Sequence, residues 1–428
     1  MEPAAVQRRT LRLLFATQIV SGTGVTIGSS VGALLAADIA GVGVSGLAQS
    51  AIVIGAALFA LPATAIVYRH GRRPSLALAY FVAGVGAFVV VSAAMRGSIP
   101  LLFTGFFLFG GASAAGLQAR YAAVDLAPAA LRGRHLSLIV WATTLGAVVG
   151  PSLAPLAGVT MGRYGVPALA GPFVFSALLF LLATLLLLLL LRPDPAVVAR
   201  ETLKDPNATA AQARRVGVRA ALGVIGANPP ARLGVTAVAV GNLVMVGVMA
   251  MTPVHIRGAG HEPAHTLRIV GLVLSSHIAG MFAFAPVVGW LTDRLGRRQV
   301  IFGGIALLLL ACAVAGTAGH DPMRLALGLM TLGLGWSATM VAGSTLLSDS
   351  ISVELRASAQ GLSDLLMGLA GASAGAVSGV VVSAWGYPRL TLLAALATAP
   401  LLLLISISPR PNDRGDGGKP VSPEPASS

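Results

Sequence analysis

Charge is scarce in this sequence. Only 10% of its 428 residues are Asp, Glu, Lys or Arg, against about 25% in a soluble globular chain. With 56% apolar residues, that deficit excludes a water-soluble protein of this size, and it equally excludes a disordered one. Cysteine is nearly absent. The single Cys312 lies inside an apolar run, so there is no disulfide framework and a small packing residue is the expected role. Lysine is reduced to Lys204 and Lys419 among 29 basic residues, an arginine bias that points to a GC-rich bacterial genome. Whole signatures are missing too. No Gly-x-x-x-x-Gly-Lys-Ser/Thr loop is there to cradle a nucleotide, which excludes a primary pump. There is no His-Glu-x-x-His stretch and no pair of acids deep in the apolar runs, so an intramembrane enzyme is excluded, and neither a metal nor another cofactor is expected. No large extra domain is inserted, which argues against a non-transporting membrane sensor.

What the chain does have is long apolar runs. A bilayer core about 30 Å thick needs about 20 apolar residues per helix. Twelve runs of that kind occur, near residues 13–36, 46–67, 74–95, 99–119, 136–160 and 166–191, then 234–255, 267–291, 299–318, 323–347, 359–383 and 388–407. The alternating ten-residue pattern of barrel strands is absent. The 52 Gly and 25 Pro fit this class, because both are commoner in membrane helices than in soluble ones. Leu185 to Leu191 is leucine throughout and is expected to meet lipid on most sides.

The net charge of +14 would suit nucleic acid if it stood alone. Here the charges sit between the runs, so topology explains them and no nucleic-acid partner is expected. Starting in the cytoplasm and alternating places 23 of the 29 basic residues inside and 6 outside. Lys/Arg bias in short loops sets orientation, so both termini are expected in the cytoplasm of a bacterial plasma membrane. Residues 192–232 are polar and carry five of the prolines. They read as a cytoplasmic linker between a first six-helix bundle (residues 1–191) and a second (residues 233–408), with a basic surface helix over 208–222. Residues 409–428 read as a disordered cytoplasmic tail.

The two halves repeat. Arg69-His70-Gly71-Arg72-Arg73 follows the second run and Arg294-Leu295-Gly296-Arg297-Arg298 follows the eighth, an offset of 225. Asp125 stands seven residues before Arg132 and Asp349 seven before Arg356, an offset of 224; Gly146-Ala-Val-Val-Gly150 matches Gly371-Ala-Ser-Ala-Gly375 at 225. The chain is a duplicated six-helix unit.

With these motifs the sequence resembles the major facilitator superfamily of secondary transporters. Gly289, Asp293, Arg294, Gly296, Arg297 and Arg298 complete that superfamily's signature loop; the first-half copy keeps Arg69, Gly71, Arg72 and Arg73 but has Thr64 and Tyr68 in place of the Gly and the Asp. Gly146, Gly150 and Pro151 resemble the helix-five signature of drug/proton antiporters, without the usual following glycine pair. The resemblance implies an all-α membrane protein of twelve transmembrane helices in two pseudo-symmetric six-helix bundles. It also implies a latch in which Asp293 docks near Arg356 at the start of helix eleven while the outside is open. Helices one, four, seven and ten would line the cavity.

Ionisable groups inside a membrane are costly and functional by default. Asp364 is the one acid placed well within a helix, and His277 lies mid-helix; together they are the proton-coupling candidates. Gln18, Thr26, Trp141, Asn242 and Trp336 are the substrate-cavity candidates, since polar groups must face protein or water. None of these is Arg or Lys, which argues against a strongly anionic substrate. The expectation is a monomeric secondary transporter in the lipid bilayer. It would export a small lipophilic or amphipathic molecule by alternating access against protons, with an importer of a small metabolite as the alternative.

Overall fold

The computed structural model describes residues 3–128, 131–203, 218–351 and 353–407. Among them there is no β-strand. Twelve helices are long and apolar enough to cross a membrane: α1 (Ala4–Ala40), α2 (Val42–Val67), α3 (Arg72–Arg96), α4 (Ile99–Ala122), α5 (Trp141–Gly162), α6 (Gly171–Leu190), α7 (Pro229–Arg257), α8 (Pro263–Leu295), α9 (Arg297–Thr317), α10 (Pro322–Ser350), α11 (Ala359–Trp385) and α12 (Tyr387–Ile405). The chain is a multi-pass membrane protein.

Several helices begin earlier than the apolar runs, for a local reason. Proline is tolerated in the first helical turn, where its missing N–H has no partner to lose. Pro229 and Pro230 therefore start α7 instead of breaking the linker, with Asn228 as the cap that accepts from the Ala231 N–H. Pro263 and Pro322 open α8 and α10 in the same way, and the Asp321 carboxylate caps α10. Arg8, Arg9 and Arg12 ride on the first turns of α1. Of the linker, Pro195–Leu203 and Val218–Ala227 are helical. Residues 204–217, which hold most of the expected surface helix, and the tail 409–428 lie outside the described residues.

The packing is that of two bundles. α1 packs on α5 and α6, α2 on α4, and α3 on α4 and α6; the same pairs recur six helices later. Each bundle has its own buried core, the first built around Phe106, Phe109, Phe173 and Phe180, the second around Met251, Leu308, Leu329 and Trp336. Lipid tails are as apolar as leucine, so membrane helices associate through close packing and interhelical hydrogen bonds. Tyr80 of α3 donates to Gln18 of α1 at 2.9 Å, and the hydroxyls of Tyr387 and Thr252 meet at 2.8 Å in the second bundle. The leucine run of α6 is not lipid-facing all round. Leu185, Leu188, Leu189 and Leu190 are exposed, whereas Leu187 and Leu191 are buried in the core, because a helix lying on a bundle has to present one stripe inward.

The bundles meet along two pseudo-equivalent seams, α2 with α11 and α5 with α8. The contacts lie at the end away from the arginine-rich loops. A Cβ on Gly46 would overlap the Gly375 carbonyl oxygen, and Ser50 Oγ donates to the Ala372 carbonyl at 2.6 Å. On the other seam Ser152 and Ser275 are 2.9 Å apart, and Ser275 Oγ also donates to the Val148 carbonyl. The described contacts therefore join the two bundles at this far end.

Candidate functional site

The cavity of about 280 Å³ is walled by α1, α4 and α5. Gln18, Ser21, Thr26, Ser113 and Thr143 give it hydroxyl and amide groups among small apolar residues. Gln18 is held rigidly: its side-chain oxygen accepts from Ser21 and Tyr80, and its amide donates to the Gly116 carbonyl at 3.3 Å. Thr26 spends its hydroxyl on the Gly22 carbonyl at 2.9 Å. Two of the five cavity candidates, Gln18 and Thr26, thus line this wall.

The other three do not. Asn242 and Trp336 are buried and bonded to each other, with Trp336 Nε1 donating to the Asn242 side-chain oxygen at 3.1 Å and Asn242 Nδ2 donating to the Met367 carbonyl at 2.9 Å. They tie α7, α10 and α11 together. Trp141 is exposed beside Phe15.

The wall carries a cation that sequence reasoning left at the helix end. Arg120 of α4 lines the cavity, and its Nε is buried without a hydrogen-bond partner. It interacts electrostatically with Asp364 of α11, on the opposite bundle. Arg120 thus places a guanidinium in the wall of this cavity, where the five candidates supply no charge. Asp364 itself is exposed. His277 has different company. It is fully buried between α8 and α10, with Nδ1 at 2.8 Å from the Leu329 carbonyl. No interaction joins it to Asp364, so the two proton-coupling candidates do not form a pair.

The repeated loops become paired contacts. Gly71 and Gly296 both have φ of +97°, a backbone that favours glycine, and each lets the next helix start at once. Arg72 then holds Asp125 with two hydrogen bonds, Nε to Oδ2 at 2.8 Å and Nη2 to Oδ1 at 3.0 Å, while Nη1 reaches Gln118 at 2.8 Å. Its counterpart Arg297 holds Asp349 through one bond of 3.0 Å. Arg73 donates to the Leu188 carbonyl near the end of α6, and Arg298 to the Ile405 carbonyl at the end of α12. The two acids of the sequence repeat are thus the partners of the loop arginines.

Asp293 is 77% exposed and, among the described residues, meets Arg297 at 3.7 Å. Arg294 lies over the Trp290 ring at 5.1 Å, Arg69 is exposed, and a Cβ on Gly289 would touch nothing. The expected partner side chain, Arg356, lies outside the described residues. In the helix-five signature, Gly146 and Gly150 have a purpose in packing: a Cβ on either would overlap Ile19 or Thr26 of α1. Pro151 stands on the α5–α8 seam, against Gly271.

One contact was missed altogether. Asp38 at the end of α1 forms an ion pair with Arg257 at the end of α7, across the bundles at the far end. A signal existed, since opposite charges close the first helix of each half. Among the described residues no three His, Cys, Asp or Glu side chains gather as a metal site.

Residues 14–267 and 262–428 match the Major Facilitator Superfamily. The chain is 37% identical over 408 residues to YdeG of Bacillus subtilis, an uncharacterized MFS-type transporter, covering 94% of this chain and 92% of that one. It is 29% identical over 414 residues to the riboflavin transporter RfnT of Brucella anthropi, covering 94% and 97%. A solved bacterial homologue of the lysosomal transporter Spinster, inward-facing and unoccupied, shares the fold with a TM-score of 0.70 at 15% identity, covering 94% and 96%.

Proposed function

Because this chain belongs to the Major Facilitator Superfamily, we propose that it is a secondary active transporter working by alternating access in a bacterial plasma membrane, with the arginine-rich end in the cytoplasm. Its substrate is a small amphipathic molecule, moved outward in exchange for protons. The observation that carries this reading is the cavity in the first bundle, where hydroxyl and amide groups and the Arg120 guanidinium stand among small apolar residues. Hydroxyls and an amide orient the polar part of a substrate, the guanidinium takes an electron-rich or anionic group, and the small apolar residues accept its body. Asp364 carries the proton, because an exposed carboxylate exchanges with water in the open state and is enclosed when the cavity shuts. Asp293 is a latch, undocked while the arginine-rich end is open.

Uptake is the second reading, favoured by similarity to a riboflavin transporter along nearly the whole chain. Proteoliposomes loaded with riboflavin or with ethidium, under an imposed pH gradient of either sign, decide between them. Gradient-driven flux outward from the cytoplasmic side supports export, and flux inward supports uptake. Equal flux in the parent and in Asp364→Asn would remove Asp364 as the coupling acid.

A further inference from the structure

Helix α1 passes two cavities. Its middle, with Gln18 and Thr26, walls the cavity of the first bundle that also holds Arg120. Its far end, with Leu34 and Ile39, walls a larger one of about 420 Å³ between the bundles. Thr26 and Leu34 are about 12 Å apart along the helix. In between, Ser29 and Ala33 share with Met249 and Leu274 the lining of a space of about 20 Å³, room for a water and little else. The outer cavity is mostly apolar, with Leu35, Ile39, Ala94 and Leu169 in its wall, and Arg257, Asp38 and His261 form its polar edge. Thr266 spends its hydroxyl on the His261 carbonyl at 3.3 Å. The Asp38 carboxylate is already neutralised, since it accepts from Arg257 Nη1. That bond uses only part of the guanidinium, whose planar fork of N–H donors fits a carboxylate, and His261 brings a ring donor to the same edge.

We propose that the outer cavity is a second ligand site, which takes a small amphipathic carboxylate with its acid on Arg257 and its body against the apolar wall. The chemistry repeats that of the inner cavity, apolar surface around one guanidinium, so one molecule suits both places. The volume lies in the range of small-molecule pockets. The narrow space at Ser29 and Ala33 keeps a ligand from passing between the two. As a station on a transport path the site rests on the proposed function. As a binding site it stands without that reading, because its occupancy is measured with no gradient and no flux.

Ala168 lines the outer cavity. Ala168→Cys in a Cys312→Ala background is labelled with a membrane-impermeant maleimide from the far face, in vesicles without a gradient, against rising 2-naphthoate. The naphthoate slows labelling, and 2-naphthalenemethanol, the same body without the charge, needs about ten times the concentration or more. The two partners of the ion pair then act in opposite directions. Arg257→Gln weakens protection by naphthoate about ten-fold or more. Asp38→Asn strengthens it about two- to five-fold, because it releases the guanidinium from a solvated pair. Leu169→Trp fills the cavity without touching the pair and removes protection, which keeps the test open should Arg257→Gln fold poorly. The site is refuted if acid and alcohol protect equally, or if Leu169→Trp leaves protection intact. It is also refuted if Arg257→Gln and Asp38→Asn shift protection the same way, as a purely structural clasp would. Labelling that naphthoate never slows refutes it too, and leaves the flux experiment with riboflavin or ethidium standing.

Discussion

The first-half loop is the degraded copy of the signature, yet it should be the stronger of the two. Arg72 and Asp125 are only 12% and 15% exposed, and they share two short hydrogen bonds, with a third from Arg72 to Gln118. Arg297 and Asp349 are 33% and 53% exposed and share one. Breaking a buried pair costs about 3–5 kcal/mol because it strands a charge, whereas an exposed pair contributes about 0–1 kcal/mol. Allowing for its partial exposure, Arg72→Gln is expected to cost about 2–3 kcal/mol, and Arg297→Gln less than about 1 kcal/mol. For a unit of 150–250 residues each kcal/mol moves the midpoint by about 2–4 °C, so the shifts are about 4–12 °C and under about 4 °C. Thermal ramps in detergent followed by tryptophan fluorescence measure both, at one fixed scan rate because such unfolding is often irreversible. The double mutant with Asp125→Asn isolates the pair: its loss should equal that of the worse single variant, not the sum. Equal midpoints for Arg72→Gln and Arg297→Gln, or additive losses in the cycle, would refute the reasoning.

Three other perturbations follow from the same geometry. Gly46→Leu drives a side chain into the Gly375 carbonyl, so the α2–α11 seam parts and Ser50→Cys becomes reactive to maleimide from the far face; an unreactive Ser50→Cys contradicts this. Asn242→Leu strands the Trp336 indole N–H and the Met367 carbonyl, at about 1–3 kcal/mol; Trp336→Phe in that background should recover part of the midpoint, and no recovery would mean the pair is not coupled. Asp293→Asn removes the latch, so labelling of Ser113→Cys from the far face should fall, and an unchanged ratio would show that Asp293 has no part in switching.

The membrane class, the twelve helices and the duplication were legible because each rests on a repeating local signal: apolar length, loop charge and motif spacing. Helix starts were less so, since Pro229 and Pro322 look like breakers until the capping residue before them is recognised. Within the site, Gln18 and Thr26 were singled out by polarity alone, and both line the cavity of the first bundle. Asn242 and Trp336 carry the same polarity but satisfy each other, and no single-residue signal separates a lining group from one that joins helices. Arg120 was set aside as a helix-end charge because its depth depends on where α4 crosses the cavity. His277 and Asp364 were paired by chemistry, but within the second bundle His277 is buried against α10 while Asp364 on α11 is exposed. Asp38–Arg257 joins residues 219 apart, a contact that only the docking of the bundles creates.

The unequal loops also explain why the complete signature need not sit in the half with the tighter ion pair. Position 293 corresponds, at the repeat offset of 225, to Tyr68. In the first half there is no acid at that place, and Arg72 is committed to Asp125. In the second half Arg297 lies between two acids, Asp349 at 3.0 Å and Asp293 at 3.7 Å. An arginine shared between carboxylates is held weakly by each, so the Asp293 carboxylate is free to leave for another donor at little cost. A carboxylate at the C-terminal end of a helix is also disfavoured by the local dipole, which adds to its tendency to seek a partner elsewhere. Under the latch proposed above, the first-half loop stays put and the second exchanges. A two-bundle machine needs that asymmetry if one bundle is to serve as the surface against which the other latches.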